Sequence, residues 1–212
     1  MEFILQSAND YALKHSSNTD ELLSEIHTQT IQNHAEAHML SGPVQGTFLT
    51  MISKMIKPKR ILEVGTFVGY SAICLAKGLE EGGVLHTIEK REQDAELSKQ
   101  YIERSRYKNN IIVHTGEAST IIDTLKEDWE LIFIDADKTG YLSYYQQLIE
   151  KVRPGTWFIF DNVLFHGEVL KENITGKNAK AITAFNDFIR EDDRVEKVML
   201  TIRDGITLLY KK

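Results

Sequence analysis

The sequence has one cysteine, three prolines and two tryptophans, and it contains no long apolar run. A single cysteine cannot form an intrachain disulfide, so a disulfide-stapled fold is excluded and thiol redox chemistry is disfavoured. We read Cys74 as a small core residue. No segment approaches the ~20 apolar residues that a membrane-spanning helix needs. A formal charge of −6 disfavours binding to nucleic acid or acidic membranes, because both require a basic surface.

The composition is that of one globular domain covering residues 1–212. With 212 residues, of which 42% are hydrophobic, the chain can bury one substantial core. The first residues lack the basic start and long apolar centre of a signal peptide, so we expect a cytoplasmic protein. Residues 1–58 have a mostly helical pattern with a polar surface and are predicted to form an arm or lid, and residues 59–212 the core.

From Arg60 onward, short apolar runs alternate with helical segments over 70–79, 92–104, 119–126 and 141–151. Such alternation predicts right-handed βαβ units and a Rossmann-like, doubly wound α/β fold with a mostly parallel sheet. A helix over 179–190 and a hairpin turn at Asp204-Gly205 predict an antiparallel carboxyl-terminal hairpin, giving seven strands. The predicted strands are Ile61–Val64, Val84–Ile88, Ile111–His114, Leu131–Ile134, Thr156–Phe160, Val195–Arg203 and Ile206–Tyr210.

Two of these apolar runs end abruptly in acidic and amide side chains, Asp135 after one and Asp161-Asn162 after the other. Neighbouring parallel strands lie roughly 5 Å apart, so the three side chains are predicted to converge at one edge of the sheet. Such hard oxygen ligands suit Mg²⁺, Ca²⁺ or Mn²⁺ better than zinc or copper. The alternative is that they only cap helices and make turns. Lys138 is a plausible base there, since a neighbouring cation disfavours its charged form.

A glycine-containing loop, Glu63-Val-Gly65-Thr-Phe-Val-Gly69, follows the first predicted strand. Glycines let the backbone turn sharply and approach a ligand closely. The spacing differs from the dinucleotide fingerprint, and Glu63 would repel a pyrophosphate but suits a cationic amino group. Glu89, at the end of the second strand, is placed to accept ribose hydroxyls. We read Phe67 as a wall residue, and the alternative for the loop is a simple tight turn.

This pattern favours S-adenosylmethionine, whose sulfonium and ammonium groups are cationic and which carries no phosphate. Glu63 would bind the ammonium and Glu89 the ribose, while Ala118, after the third strand, would lie near the adenine. Gly65 and Thr66 would let the methionine part lie against the backbone.

These residues match a known family over nearly the whole chain. The matching segments are 38–49, 62–71, 133–138, 161–162 and 204–207, and the most specific are Asp-Ala-Asp-Lys and Asp-Asn. The chain resembles the cation-dependent class I O-methyltransferases, which include catechol and plant caffeoyl-CoA O-methyltransferases, and most of all their small bacterial members.

The resemblance implies roles for individual residues. A divalent cation, usually Mg²⁺, would be bound by Asp135, Asp161 and Asn162. Lys138 would be the base, and Asp135 would be a second catalytic residue beside it. His166 would contact the acceptor. A homodimer is expected from the resemblance alone. The positions assigned to the methyl donor, including the wall residue Phe67, are Ser41, Glu63, Gly65, Thr66, Phe67, Ser71, Glu89, Ala118, Asp135 and Asp137.

The predicted function is methyl transfer from S-adenosylmethionine to one hydroxyl of a phenolic vicinal diol, of catechol or caffeoyl type, chelated by the cation. One alternative is an NAD(P)-dependent oxidoreductase on the same sheet, which the glycine spacing disfavours. Another is a noncatalytic nucleoside- or metal-binding module. The segment Ser41–Gln45 and Phe165 depart from the family pattern beside the acceptor, which leaves the acceptor open. His34 and His38 are read as solvated or capping residues.

Overall fold

A seven-stranded sheet organises the protein, whose computed structural model describes residues 6–17 and 19–212. Residues 1–5 and 18 of the predicted arm lie outside the described residues. The strands are β1 (Arg60–Val64), β2 (Val84–Glu89), β3 (Ile111–Thr115), β4 (Leu131–Ile134), β5 (Trp157–Asp161), β6 (Val195–Leu200) and β7 (Ile206–Lys211). The α-helices are α1 (Gln6–Lys14), α2 (Glu21–Asn33), α3 (Gly42–Ile56), α4 (Tyr70–Ala76), α5 (Glu92–Glu103), α6 (Ala118–Thr124), α7 (Tyr141–Ile149) and α8 (Lys177–Glu191).

The strand order is β3-β2-β1-β4-β5-β7-β6. Strands β1 to β5 pair in parallel, whereas β7 runs antiparallel to both of its neighbours, β5 and β6. The predicted fold class is therefore confirmed. The chain moves from β1 outward to β2 and β3, and then returns to place β4 on the other side of β1. In open α/β sheets such a reversal leaves a crevice at the carboxyl ends of the strands, where ligands bind.

Apolar residues cover both faces of the sheet. The four residues of β4 are all fully buried, as expected for a continuous apolar run in a parallel sheet. Aromatic side chains of α7 and α8 pack on one face, where Tyr145 lies edge-on to Phe158 and Phe185. Helices α3 and α4 cover the opposite face.

The amino-terminal helices share this second core. Leu23 and Ile26 of α2 are buried. Helix α3 lies so close to α4 that a Cβ at Gly46 would come within 2.7 Å of the Tyr70 ring and 2.9 Å of the Cys74 sulfur. Burial raises the pKa of the Cys74 thiol to about 12, which fits packing and not nucleophilic chemistry.

The predicted hairpin is present, but its first strand is shorter than expected. Strand β6 ends at Leu200, and residues 201–205 form the connection. Arg203 adopts a φ of 48° and Gly205 a φ of 85°, and these left-handed conformations cannot continue a strand. In the described part of the chain, no helix combines the length and the apolar character needed to cross a bilayer.

Candidate active site at the carboxyl edge of the sheet

A cavity of about 520 Å³ opens at the carboxyl ends of the parallel strands, where the strand order reverses. Apart from Glu63, all of the site residues predicted from the sequence line its wall. These residues are Ser41, Gly65, Thr66, Phe67, Ser71, Glu89, Ala118, Asp135, Asp137, Lys138, Asp161, Asn162 and His166.

Gly65 brings the loop after β1 into contact with the end of β4. Its φ is 103°, and a Cβ at this position would lie 2.0 Å from the carbonyl oxygen of Asp135. Only glycine satisfies both conditions without displacing backbone. Gly69, with a φ of 84°, then begins α4. The loop therefore has the sharp turn and the close backbone approach that the sequence predicted.

Glu63 is fully buried and lies outside the set of wall residues. The Thr87 hydroxyl donates a hydrogen bond to its Oε2 at 2.5 Å, whereas its Oε1 has no hydrogen-bond partner in the described structure. Burial raises the pKa of Glu63 to about 8, although the Ser71 and Thr87 hydroxyls oppose the rise. A buried carboxyl with an unpartnered oxygen fits a site that receives a cationic group nearby.

Glu63 also makes the stability of the fold depend on pH. In the unfolded chain the carboxyl ionises above its ordinary pKa of 4.5, whereas in the folded chain it stays neutral up to about pH 8. The free energy of unfolding should therefore fall as the pH rises from 4.5 to 8, by an amount on the order of a few kcal/mol. Thermal melts between pH 5 and pH 9 should show this loss. Glu63→Gln should remove the part due to Glu63, while the part due to Asp161, whose pKa is also raised, should remain. An unchanged slope in that variant would contradict the prediction.

Glu89 connects two loops at the cavity. Its carboxylate accepts hydrogen bonds from the backbone N–H of Phe67 at 2.7 Å and of Arg91 at 2.9 Å. The Arg91 guanidinium lies over the Phe67 ring, 5.5 Å from its centroid. Each carboxylate oxygen retains a further lone pair, so the predicted contact with ribose hydroxyls is compatible with these bonds.

His34 caps the end of α2, which agrees with one of the two roles predicted for it. Its backbone N–H donates to the Thr30 carbonyl at 3.0 Å. The side chain of His34 makes further contacts. The ring nitrogen Nε2 lies 3.0 Å from Asp94 Oδ1, and the ring lies edge-on to Phe67. The sequence did not indicate these contacts. The side chain of His38 is 71% exposed, as expected for a solvated residue.

Two of the three predicted metal ligands face a single cationic nitrogen. Lys138 Nζ donates to Asp135 Oδ1 at 3.0 Å, to Asn162 Oδ1 at 2.8 Å and to the Tyr141 hydroxyl at 2.7 Å. The Tyr141 hydroxyl in turn donates to the backbone carbonyl of Asp161 at 2.8 Å. One side chain that follows β4 and one that follows β5 thus meet, with the ammonium group of Lys138 between them, whereas the third predicted ligand, Asp161, makes other contacts.

Asp161 is held from two sides. Its Oδ1 accepts the backbone N–H of Asn162 at 2.8 Å, and its Oδ2 accepts the side-chain amide of Gln45 at 2.5 Å. Burial, together with the nearby Asp135 carboxylate, raises the pKa of Asp161 to about 7. A carboxyl in this environment is ionised more readily when positive charge lies beside it.

The donor set fits a hard divalent cation. It combines two carboxylates with an amide oxygen, and each oxygen can accept a hydrogen bond and still offer a lone pair to a metal. Within residues 6–17 and 19–212, no three side chains of His, Cys, Asp or Glu are grouped so as to hold a metal ion. The predicted trio is not such a group, because its third member is Asn162.

The outer end of the cavity is formed by residues 165–166 and the hairpin turn. Phe165 and His166 have positive φ angles of 45° and 51°, and the His166 side chain is 75% exposed. The backbone N–H of His166 donates to Asp204 Oδ1 at 2.6 Å. Asp204 and its neighbour Arg203 line the cavity, although the sequence indicated Asp204 as a turn residue within a family segment and assigned it no role in the site.

Comparisons with known proteins agree over most of the chain. Residues 13–212 match the family described as O-methyltransferase. A catechol O-methyltransferase from Niastella koreensis is 35% identical over 180 residues, which cover 81% of this chain and 81% of that protein. A caffeoyl-CoA O-methyltransferase from Populus kitakamiensis is 32% identical over 200 residues, covering 89% and 85%. The crystal structure of a Bacillus cereus O-methyltransferase in complex with SAH is similar with a TM-score of 0.85, at 31% identity and 97% coverage of each chain.

Proposed function

We propose a function from the premise that this chain belongs to the O-methyltransferase family and is an S-adenosylmethionine-dependent enzyme of the catechol and caffeoyl-CoA type. In this proposal, it methylates one hydroxyl of a phenolic vicinal diol that chelates a divalent cation. The family resemblance seen in the sequence is thereby confirmed, and the oxidoreductase and noncatalytic alternatives are excluded. The observation that carries the proposal is the convergence of Asp135 and Asn162 oxygens on one cationic nitrogen.

The donor is proposed to bind at the end of the cavity formed by the loop after β1. Gly65 and Thr66 would face the methionine part, and Glu89 the ribose. Glu63, which lies outside the set of wall residues, would act on the ammonium as a carboxylate, because a neighbouring positive charge favours the ionised form against the effect of burial. The other wall residues proposed to contact the donor are Ser41, Phe67, Ser71, Ala118, Asp135 and Asp137.

Asp135, Asp161 and Asn162 are proposed to hold the divalent cation. Their oxygen atoms match the ligand preferences of Mg²⁺, Ca²⁺ and Mn²⁺, and the family resemblance favours Mg²⁺ among these. A bound cation of this kind would supply Lewis acidity toward an acceptor hydroxyl. His166, at the mouth of the cavity, is proposed to contact the acceptor, and its exposed ring leaves room for acceptors of different size.

Lys138 is proposed to take the proton from the acceptor hydroxyl. As an ammonium it donates all three hydrogens, to Asp135, Asn162 and Tyr141. The neutral amine keeps two of these bonds, which hold the nitrogen in place, and gains the lone pair that a base needs. The acceptor oxygen then forms a bond to the methyl carbon, the carbon–sulfur bond breaks, and the sulfonium becomes a neutral thioether. Alignment of the two reactants in one cavity supplies much of the rate.

A screen of acceptors with methyl-labelled S-adenosylmethionine tests the proposed function. Catechol, caffeate and a caffeoyl thioester should be methylated in the presence of Mg²⁺, whereas the matching monophenols should not, because they cannot chelate a cation. Each reaction is run with and without added Mg²⁺. Equal methylation of monophenols and diols would contradict the proposal.

We further propose that the protein assembles as a homodimer. Met51 and Met55 of α3 are exposed, and Met55 shares an apolar groove with Trp157 and Leu208. Val198 lies opposite Leu208 in the β6–β7 pair and is also exposed. An apolar area of this kind commonly marks a contact with a partner. Sedimentation equilibrium measures the assembly directly, and the cytoplasmic location stays a prediction.

A further inference from the structure

Gln45 lies behind the cavity wall and connects two charged residues. It is fully buried in the first turn of α3. Its Nε2 donates to Asp161 Oδ2 at 2.5 Å, and its Oε1 accepts from Arg203 Nη1 at 2.6 Å. The same Arg203 nitrogen donates to the backbone carbonyl of Ser41. Three distant parts of the chain therefore meet at this one amide.

The two partners leave the amide of Gln45 only one orientation. A guanidinium group can only donate hydrogen bonds, so the amide oxygen must face Arg203. The amide nitrogen must then face Asp161, where it finds an acceptor. Arg203 thus determines that Asp161 receives a donor and not a second oxygen atom.

The backbone at Arg203 is held in an uncommon conformation. Its φ of 48° is in the left-handed region, although the residue is not glycine. Residues other than glycine keep such angles when surrounding contacts hold them, and they cluster at functional sites. The contacts present here are the bonds from Nη1 to Ser41 and Gln45, both at the start of α3.

We propose that Gln45 is a positioning residue for Asp161, and that Arg203 in turn fixes the Gln45 amide. Neither residue touches the cation; both act through the carboxylate, by holding one oxygen of Asp161 in a fixed direction. This inference rests on the proposed function, in which Asp161 is a cation ligand. Partners of metal ligands typically change metal affinity by about 10- to 100-fold when they are removed.

The test is a titration of the purified protein with Mn²⁺ in the absence of donor and acceptor. The concentration of free Mn²⁺ is measured by electron paramagnetic resonance at each step. Gln45→Met keeps the length of the side chain but removes both hydrogen bonds, and should weaken Mn²⁺ binding by about 10- to 100-fold. Gln147→Met is the matched control, because Gln147 donates to Ser119 on the surface of α7 and α6. Its Mn²⁺ affinity should equal that of the unmodified protein.

Two variants of Arg203 separate positioning from folding. Arg203→Met frees the Gln45 amide to turn over and should weaken Mn²⁺ binding by less than Gln45→Met does. Arg203→Lys retains a donor toward the same oxygens and should restore most of the affinity. A merely structural role of Arg203 would lower the melting temperature without moving Mn²⁺ affinity, and that result would overturn the proposal.

The remaining outcomes are also decisive. If Gln45→Met folds and binds Mn²⁺ within twofold of the unmodified protein, the positioning role is wrong while the proposed function stands. If Gln45→Met does not fold, the Arg203 pair decides by the same criterion. If the unmodified protein binds no Mn²⁺, the proposed cation site itself fails, and this inference fails with it.

Discussion

Replacing Lys138 by methionine is expected to lower kcat by roughly 10²- to 10⁴-fold, the usual contribution of a general base. Methionine keeps the unbranched apolar stem of lysine but lacks its terminal basic nitrogen. The dissociation constant for S-adenosylmethionine should change little, because the proposed ribose and methionine contacts lie on the loops after β1 and β2. Single-turnover kinetics with labelled donor measure the chemical step, and calorimetric titration measures donor binding.

Two further variants identify what Lys138 contributes. Lys138→Arg keeps a positive charge near Asp135 and Asn162, but a guanidinium cannot give up its proton in a protein. This variant should therefore be nearly as slow as Lys138→Met. Lys151→Met, at a partly exposed lysine beyond the other end of α7 that pairs with Asp123, should leave kcat unchanged. A Lys138→Arg enzyme with full activity would mean that charge, and not proton acceptance, is the function of Lys138.

Removing divalent cations with EDTA is expected to stop methyl transfer, with a loss of about 10³-fold or more, since a bound metal typically supplies several kcal/mol of stabilisation. Asp161→Asn should produce a similar loss even in excess Mg²⁺. Asparagine keeps an oxygen that can accept the bond from Gln45 but removes the negative charge that favours a cation. The effect should fall on acceptor binding, so initial rates are measured over a range of catechol concentrations.

Adding Mg²⁺ back after EDTA treatment distinguishes loss of the cation from damage to the fold. Added Mg²⁺ should restore the EDTA-treated unmodified enzyme but not Asp161→Asn. Asp187→Asn serves as the matched control, because Asp187 is an exposed partner of Arg190 on α8 and should retain full activity. Unmodified enzyme that turns over at its usual rate in EDTA would contradict the proposed cation dependence.

The fold was predictable because its determinants are local. Each buried strand is a short apolar run, and each helix has its own periodic pattern, so the order of elements follows from the sequence alone. The meeting of Asp135 and Asn162 was predictable for a related reason, because polar residues that follow neighbouring parallel strands lie at one edge of the sheet. The Asp161 carboxylate instead bonds to Gln45 and to the backbone of Asn162. The residue at which β6 ends was not predictable, because it depends on the left-handed backbone of Arg203.

Other features of the site depend on side-chain directions that a sequence pattern does not contain. In a strand buried on both faces, alternation does not show which way an acidic residue points, so Glu63 was expected in the cavity and is found outside its wall. Gln45 and Arg203 are 158 positions apart, and no periodicity links them. Asp204 was read as a turn residue, and its bond to His166 depends on the packing of two loops.

The contact between Gly65 and the carbonyl of Asp135 has a consequence for changing the acceptor. Because this contact joins main chain to main chain, it sets the spacing between the loop proposed for the methyl donor and the strand end proposed for the cation. No side chain needs to be retained to preserve it. Substrate range can therefore be altered at residues 38–39 and 165–166, in the more exposed part of the cavity wall, while the reacting distance stays fixed by the backbone.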